Sequence, residues 1–367
     1  MSVHFSIGYY RNNEWNDSIL DIVSDFPEIK EVYFPLPTQH SGRYALNVNA
    51  DTKDVESELK RDLIELRKRG LRLNLLLNAG CYADRVQNSD FICSIKQQLA
   101  EYVENFGVSS ITTTLPTFAT IAKRMYGDAI ETRASVNMGI ATIDAMSYLC
   151  DDFDAFYPAR ELYRSIGELS KWKTWADRYH KRLYALVNSG CLAYCPWHTI
   201  DNNLVAHGVV DMKLADGTII QLCDDLIARN KDITPILKSN FIRPEDVHNY
   251  SSIFHGFKIA TRNHFLPRLV VRAYLKEHFE GLLTDLLEPG HTNSLKPEKC
   301  IPNSSFPSDW FSQTSNCHRN CSTCNYCKNL AKHIVKKHSS EFDFWHYLFD
   351  DEQTLNERLA AKGFTKQ

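Results

Sequence analysis

The chain has no run of about 18 apolar residues, so no segment reads as a helix that crosses a bilayer. Its first residues, MSVHFSIGYYRNNEW, lack the basic start and apolar core of a secretory signal, and the expected location is the cytoplasm. No G-x-G-x-x-G or Walker loop opens a helix, which weakens a nucleotide-binding reading. H-E-x-x-H, G-x-S-x-G and a papain-like cysteine signature are all missing. Their absence removes the common hydrolase motifs but leaves open a serine or cysteine nucleophile assembled in space. An excess of either charge is missing too: 42 Lys and Arg face 45 Asp and Glu, a net charge of −3. Nucleic acid could then be held only by a local basic groove. There is no internal repeat and no low-complexity tract.

What is present is a 367-residue chain of ordinary globular composition, 43% hydrophobic and 24% charged. That length suits one large domain with an appendage. Eleven cysteines stand out in a chain expected to sit in a reducing compartment, where clustered thiols serve as metal ligands or reactive groups more often than as disulfides.

Four of the cysteines fall in one run, CHRNCSTCNYC, with Cys317, Cys321, Cys324 and Cys327 spaced C-x3-C-x2-C-x2-C. Gaps this short resemble ferredoxin runs that curl around an iron–sulfur cubane. A four-thiolate zinc site is the alternative, although structural zinc knuckles are usually separated by a dozen or more residues. Disulfides or free thiols are the remaining option. The first three cysteines also match the spacing of radical S-adenosylmethionine enzymes. There the motif follows the first barrel strand, whereas here it lies near the C-terminus.

A second group, Cys191 and Cys195 in NSGCLAYCPW, makes half a site. Cys223 is the nearest cysteine downstream, and His248, Cys300 or one of the C-terminal four could complete it. Three thiolates would leave one iron of a [4Fe–4S] cluster open to a small ligand. Cys81, Cys93 and Cys150 are isolated; Cys93 and Cys150 fall in helical patterns as small buried residues.

Strand-like runs at 4–10, 31–35, 71–78, 109–115, 132–138, 155–158 and 182–187 alternate with amphipathic helices, among them 55–69, 90–106 and 165–180. Gly70 and Gly107 follow two of the helices as end signals. An eighth strand at 256–260 completes the expected fold, a (β/α)8 TIM-like barrel over residues 1–288. Residues 201–255 break the rhythm and read as an insertion with a hairpin near 215–217. A long helix is expected at 267–287. A cysteine-rich extension spans 289–367, with a linker at 291–316, a basic helix at 329–337 and a last helix near 351–362.

Barrel enzymes work at the C-terminal ends of their strands, which gives a candidate list. It comprises Arg43 and Asn47 after strand two, Asn78 after strand three, Ser135 and Asn137 after strand five, Arg160 and Glu161 after strand six, and Asn188 and Cys191 after strand seven. Strand eight supplies Lys258 and Arg262. The catalytic candidates are Arg43, Asn78, Asn137, Arg160, Glu161, Lys258 and Arg262, a set of donors and cations suited to an anionic or carbonyl-bearing substrate. Asn in such places also closes turns, Arg160–Glu161 could brace the next helix, and Lys258 and Arg262 could pair with carboxylates. His198 and His207 flank the Cys191 group and read more simply as ordinary polar residues.

Several stretches together resemble peptidase family U32, the collagenase-like proteins: VYFPLPTQHSGRYALN, LLLNAG, RASVNMGIAT, YPARELYRSIGEL, LVNSGCLAYC and SNFIRPEDVHNYSSIFHGFKIATRNHFLPRLVVRAYL. The resemblance covers most of residues 4–285. It implies a barrel core, a [4Fe–4S] cluster on four cysteines and, for several relatives, oxygen-independent hydroxylation of RNA bases or of a quinone-precursor ring; the family name implies a peptidase. Two departures bear on the site. His248 stands where the family usually has a cysteine after the K-D-L aspartate, and the family's K-I-E-G-R is K-I-A-T-R here, which keeps Lys258 and Arg262. One or two clusters are expected, with zinc as the alternative at the C-terminal cysteines. The expected partner is a small molecule or RNA, with a partner protein or a second copy also open, and no membrane.

Overall fold

Eight strands carry apolar residues at alternate positions, and those positions pack outward beneath the helices. The computed structural model describes residues 4–337 except 12–17, 38–51, 265, 292–294, 296–298 and most of 210–231. The strands are β1 His4–Gly8, β2 Ile29–Pro35, β3 Arg72–Leu77, β4 Ser110–Thr113, β5 Glu131–Ala134, β6 Ala155–Phe156, β7 Arg182–Leu186 and β8 Gly256–Ile259. All pair in parallel with their neighbours in the chain. β8 closes on β1, with Phe5 opposite Phe257 and Ser6 opposite Lys258, so the expected TIM-like barrel is formed.

Helices α1 Ile19–Asp25, α2 Thr52–Lys68, α3 Ser89–Phe106, α4 Pro116–Tyr126, α5 Ile143–Ser147 and α6 Ile166–Arg178 follow the first six strands. In α3 the stripe Ile95, Leu99, Tyr102 and Phe106 is buried; Asn88 caps the start and Gly107, at φ 70°, ends it. Cys93 lies off that stripe and is exposed, contrary to the buried role expected of it. The outward strand residues, such as Ile7, Val32, Phe34, Leu75, Ile111 and Phe257, complete this layer.

The alternate residues point into the barrel, and most are polar or aromatic, with Leu76, Ala155 and Leu186 as apolar exceptions. Arg133 is fully buried and donates to both carboxylate oxygens of Glu31, at 2.7 Å each, and to Glu131 at 2.8 Å. Tyr184 donates to Glu131, and its ring lies 4.3 Å from the Arg133 guanidinium. Thr112 donates to Asn74, whose amide faces Glu31. Burial alone would raise the Glu131 pKa, but Arg133 outweighs it and holds the carboxyl below its ordinary value. The barrel is therefore plugged by an ion-pair network rather than by aliphatic layers.

Several boundaries differ from the sequence expectation. β5 ends at Ala134, and Val136–Met138 forms a 3-10 turn in which the Ser135 hydroxyl accepts from the Asn137 amide. The helix expected at 267–287 is two: Pro267–Leu275, then Leu283–Leu286. The break falls at Glu277, whose φ of +50° no helix interior tolerates. The basic helix runs Tyr326–Ile334, and Lys336–Lys337 pairs instead with Lys299–Cys300. The expected hairpin is marked by Met212–Lys213 paired with Ile219–Ile220. Its turn and the helix expected near 351–362 lie outside the described residues.

The C-terminal extension does not stand apart. Ser315 accepts from the Ile166 amide, and Arg164 accepts from the Cys317 amide, which fixes the cysteine run to the loop after β6. Leu192, Ile236, Phe241, Trp310, Ala331 and Ile334 then form a second apolar core shared by the β7 loop, the insertion and the extension.

Candidate active site at the barrel mouth

The C-terminal ends of the strands open into a cleft of about 670 Å³, part of it solvent. Asn78, Asn137, Arg160, Lys258, Arg262 and Cys191 all line it, so the structure brings together five of the seven catalytic candidates and one cysteine of the barrel group. Arg43, like Asn47, lies outside the described residues.

Arg160 is buried at the end of β6 and donates to the Ser189 hydroxyl at 2.9 Å and to His198 Nε2 at 2.5 Å. Asn202 is also within 3.3 Å of that nitrogen. Asn78 and Asn137 are tied side by side, the Asn137 amide facing the Asn78 carbonyl at 3.5 Å. Glu161 is not in the cleft. It accepts from the Tyr194 amide and from Asn240, and so braces the loop that carries Cys195. Asn188 is buried and donates to the carbonyls of Ala260 and Leu286 while accepting from the Ala260 amide. It is a clasp between strand ends.

Lys258 projects inward from β8. Its Nζ lies 3.8 Å above the centre of the Tyr33 ring and 5.8 Å from that of Tyr157. Burial, helped by the Arg262 charge, lowers its pKa to about 7. Gly8 makes room for this corner: a Cβ there would stand 2.5 Å from Arg262 Cγ and 2.9 Å from the Tyr33 ring.

The barrel cysteines form one group. The Cys223 thiol donates to Cys195 and Cys191 acts on Cys223 through its charge, which together with burial raises the Cys223 thiol. Cys195 is lowered to about 6 by that bond, with the amides of Trp197 and His198 assisting. His248 is not with them: it is exposed on the outer surface, 3.6 Å from Glu277. Cys300 is buried with its thiol toward the Lys336 carbonyl.

The C-terminal cysteines form a second group around Arg164. This fully buried guanidinium donates to the carbonyls of Leu237 and Ser239 and lies 5.1 Å from the Trp310 ring centre. No carboxylate is among the groups that act most on it. Its neighbours are Cys317 and Cys327, while burial and Arg319 pull its pKa to about 10, where it stays charged at neutral pH. Burial raises the Cys327 thiol and Arg164 opposes that. Each cysteine group acts within itself. Among the described residues, no three His, Cys, Asp or Glu side chains close into a metal-binding geometry.

The cleft also contains Tyr33, Ser189, Asp201, Asn202 and Glu288, which the strand-end rule did not select. Tyr33 was detectable as an inward alternate position of β2. Ser189 follows shortly after the β7 end, while Asp201, Asn202 and Glu288 come from the insertion and the segment after β8, whose return to the mouth no local pattern marks.

A protein of Methanocaldococcus jannaschii named as an uncharacterized protease is 26% identical over 288 residues, which covers 76% of this chain and 82% of that one. Among solved structures, a U32 peptidase is similar at a TM-score of 0.49 and 15% identity, covering 71% of this chain and 92% of its own. No family model matches the chain. The chain resembles the U32 peptidases.

Proposed function

We propose that this chain is an iron–sulfur enzyme of the U32 type that modifies a small organic molecule or an RNA base at the barrel mouth. The observation that carries this is the shared cleft: Cys191 lines the same cavity as Lys258, Arg160 and Arg262. The thiol chemistry suits a soft metal, although the three side chains as placed do not close around an ion. Cys191, Cys195 and Cys223 supply three thiols, and Cys195 is already inclined to the thiolate that ligation requires. Those three would hold a [4Fe–4S] cluster, which when bound supplies electron transfer or an open iron. The protein's own groups do the rest. Arg262 and Arg160 attract an anion, and Asn78 and Asn137 present amides to a carbonyl. Oxygen-independent ring hydroxylation is the reaction class the resemblance favours.

Cys317, Cys321, Cys324 and Cys327 are assigned a structural metal, iron–sulfur or zinc, whose thiolates would balance the buried Arg164 charge. Oxygen-free purification followed by visible spectroscopy and iron, sulfide and zinc determination tests both assignments. Cys191→Ala, Cys195→Ala and Cys223→Ala should each reduce iron, and unchanged iron in all three would remove the catalytic cluster. Cys321→Ala with Cys324→Ala should release metal without altering the absorption of the barrel cluster.

A peptidase is the second reading, favoured by the name of the M. jannaschii relative. Metal-free protein that cleaves peptides, with cleavage lost in Cys191→Ser, would establish it instead.

A further inference from the structure

We propose that Lys258 is an imine-forming residue, whose ε-amine attacks the carbonyl carbon of an anionic aldehyde or ketone bound in the mouth. This rests on reading that cleft as the active site. Three observations support it. Lys258 is buried on β8, yet among the described residues it makes no ion pair and no hydrogen bond, and Glu31 acts on it only through its field. The carboxylates below it are committed elsewhere: Arg133 takes both oxygens of Glu31 and also binds Glu131. The amine instead meets two aromatic faces and the floor of the cleft, with Arg262 lining the same wall.

A lysine that only supported the barrel would be expected to sit in such an ion pair, as Arg133 does. Here apolar burial and a neighbouring guanidinium disfavour the ammonium form, and the neutral amine is populated near pH 7. That is how a lysine becomes a nucleophile toward carbonyls. The step balances without an oxidant or reductant. The nitrogen lone pair forms a C–N bond as the carbonyl π electrons move to oxygen. The nitrogen then gives up its two hydrogens, the C–O bond breaks, and the oxygen leaves as water. Arg262 would hold the anionic group of the substrate and set the carbonyl over Nζ. The imine draws electrons from the adjacent carbon, which suits chemistry at that position.

The test uses the full chain, purified without oxygen and treated with cyanoborohydride and one of three probes: pyridoxal 5′-phosphate, pyruvate or neutral acetone. Peptide mass mapping then reads the reduced adduct at each lysine. Lys258 should be modified by at least one anionic probe about tenfold or more above the typical exposed lysine, as expected for an oriented reaction. Acetone should show no such preference, and Arg262→Gln should reduce the anionic adduct severalfold. Lys258→Arg keeps a cation and should abolish the adduct while its circular dichroism matches the parent. Labelling of Lys258 at or below the level of exposed lysines with both anionic probes would overturn the proposal. So would equal preference for acetone. Neither result touches the metal determinations above, so failure of the imine and failure of the iron–sulfur reading are separable.

Discussion

Arg133→Met should destabilise the fold by about 3–5 kcal/mol, the usual cost of removing one member of a buried ion pair. The physical reason is what remains. Glu31 and Glu131 are 2% exposed and partly buried respectively, and without the guanidinium each would keep only a more exposed and more distant arginine, Arg72 and Arg182. The lost Coulomb energy is only part of the effect, because each carboxylate would also keep its desolvation cost. Denaturant titration reads this as a lower midpoint at an unchanged slope. A triple variant, Glu31→Met, Glu131→Leu and Arg133→Met, should recover most of the loss, since a packed apolar set can replace a buried ionic one. A loss below about 1 kcal/mol in the single variant would mean the network carries no special weight. The pH dependence has a definite sign. The folded-state pKa of Glu131 is held below its ordinary value, so its contribution is present at neutral pH and is lost as pH falls through that lowered value.

The second large effect should come from Gly190→Ala. Gly190 sits between the β7 end and Cys191, where a Cβ would fall 2.0 Å from the Pro289 carbonyl oxygen and 3.1 Å from Leu287 Cβ. Both neighbours are pinned: Glu288 donates its amide to Asn188 and accepts from the Gly190 amide, and His291 contacts the Gly190 carbonyl at 2.7 Å. The clash cannot be relieved by turning a flexible side chain. The expected outcome is a stability loss of about 1–3 kcal/mol or more, together with displacement of Cys191 from the cleft. Iron content should fall with it, whereas Gly70→Ala, strained by a φ of +79° but with nothing within 4 Å, should cost stability locally and leave iron unchanged. An alanine variant at 190 with parental stability and iron would show that the 288–290 segment yields easily.

Most of the fold was legible because its signals are local. The runs at 71–78 and 109–115 alternate correctly, and Gly107 marks the end of α3 by the left-handed conformation it adopts. The helix break at Glu277 was hidden, because the 267–287 stretch carries apolar residues at helical spacing while the backbone turns under tertiary contacts, such as the Phe279 amide donating to Glu245. At the site, Asn78, Asn137, Arg160, Lys258 and Arg262 could be found because a strand end fixes where a side chain goes. Glu161 misled for the same reason: it shares that strand end but turns to Tyr194 and Asn240. The inward ion pairs were not legible, because Glu31 and Arg133 sit in strands with other polar residues and their partnership spans 102 positions that no local pattern links.

Asn188 has a wider consequence. Its side chain grips Ala260 and Leu286 at once, and its carbonyl receives the Glu288 amide. The loop bearing Cys191, the strand end two residues past Lys258 and the segment bearing Glu288 therefore belong to one cooperative unit. Their amide protons should exchange with solvent together rather than singly. A ligand that orders any one of the three would slow exchange in the others, so occupancy at the amine would be felt at the thiol across the mouth.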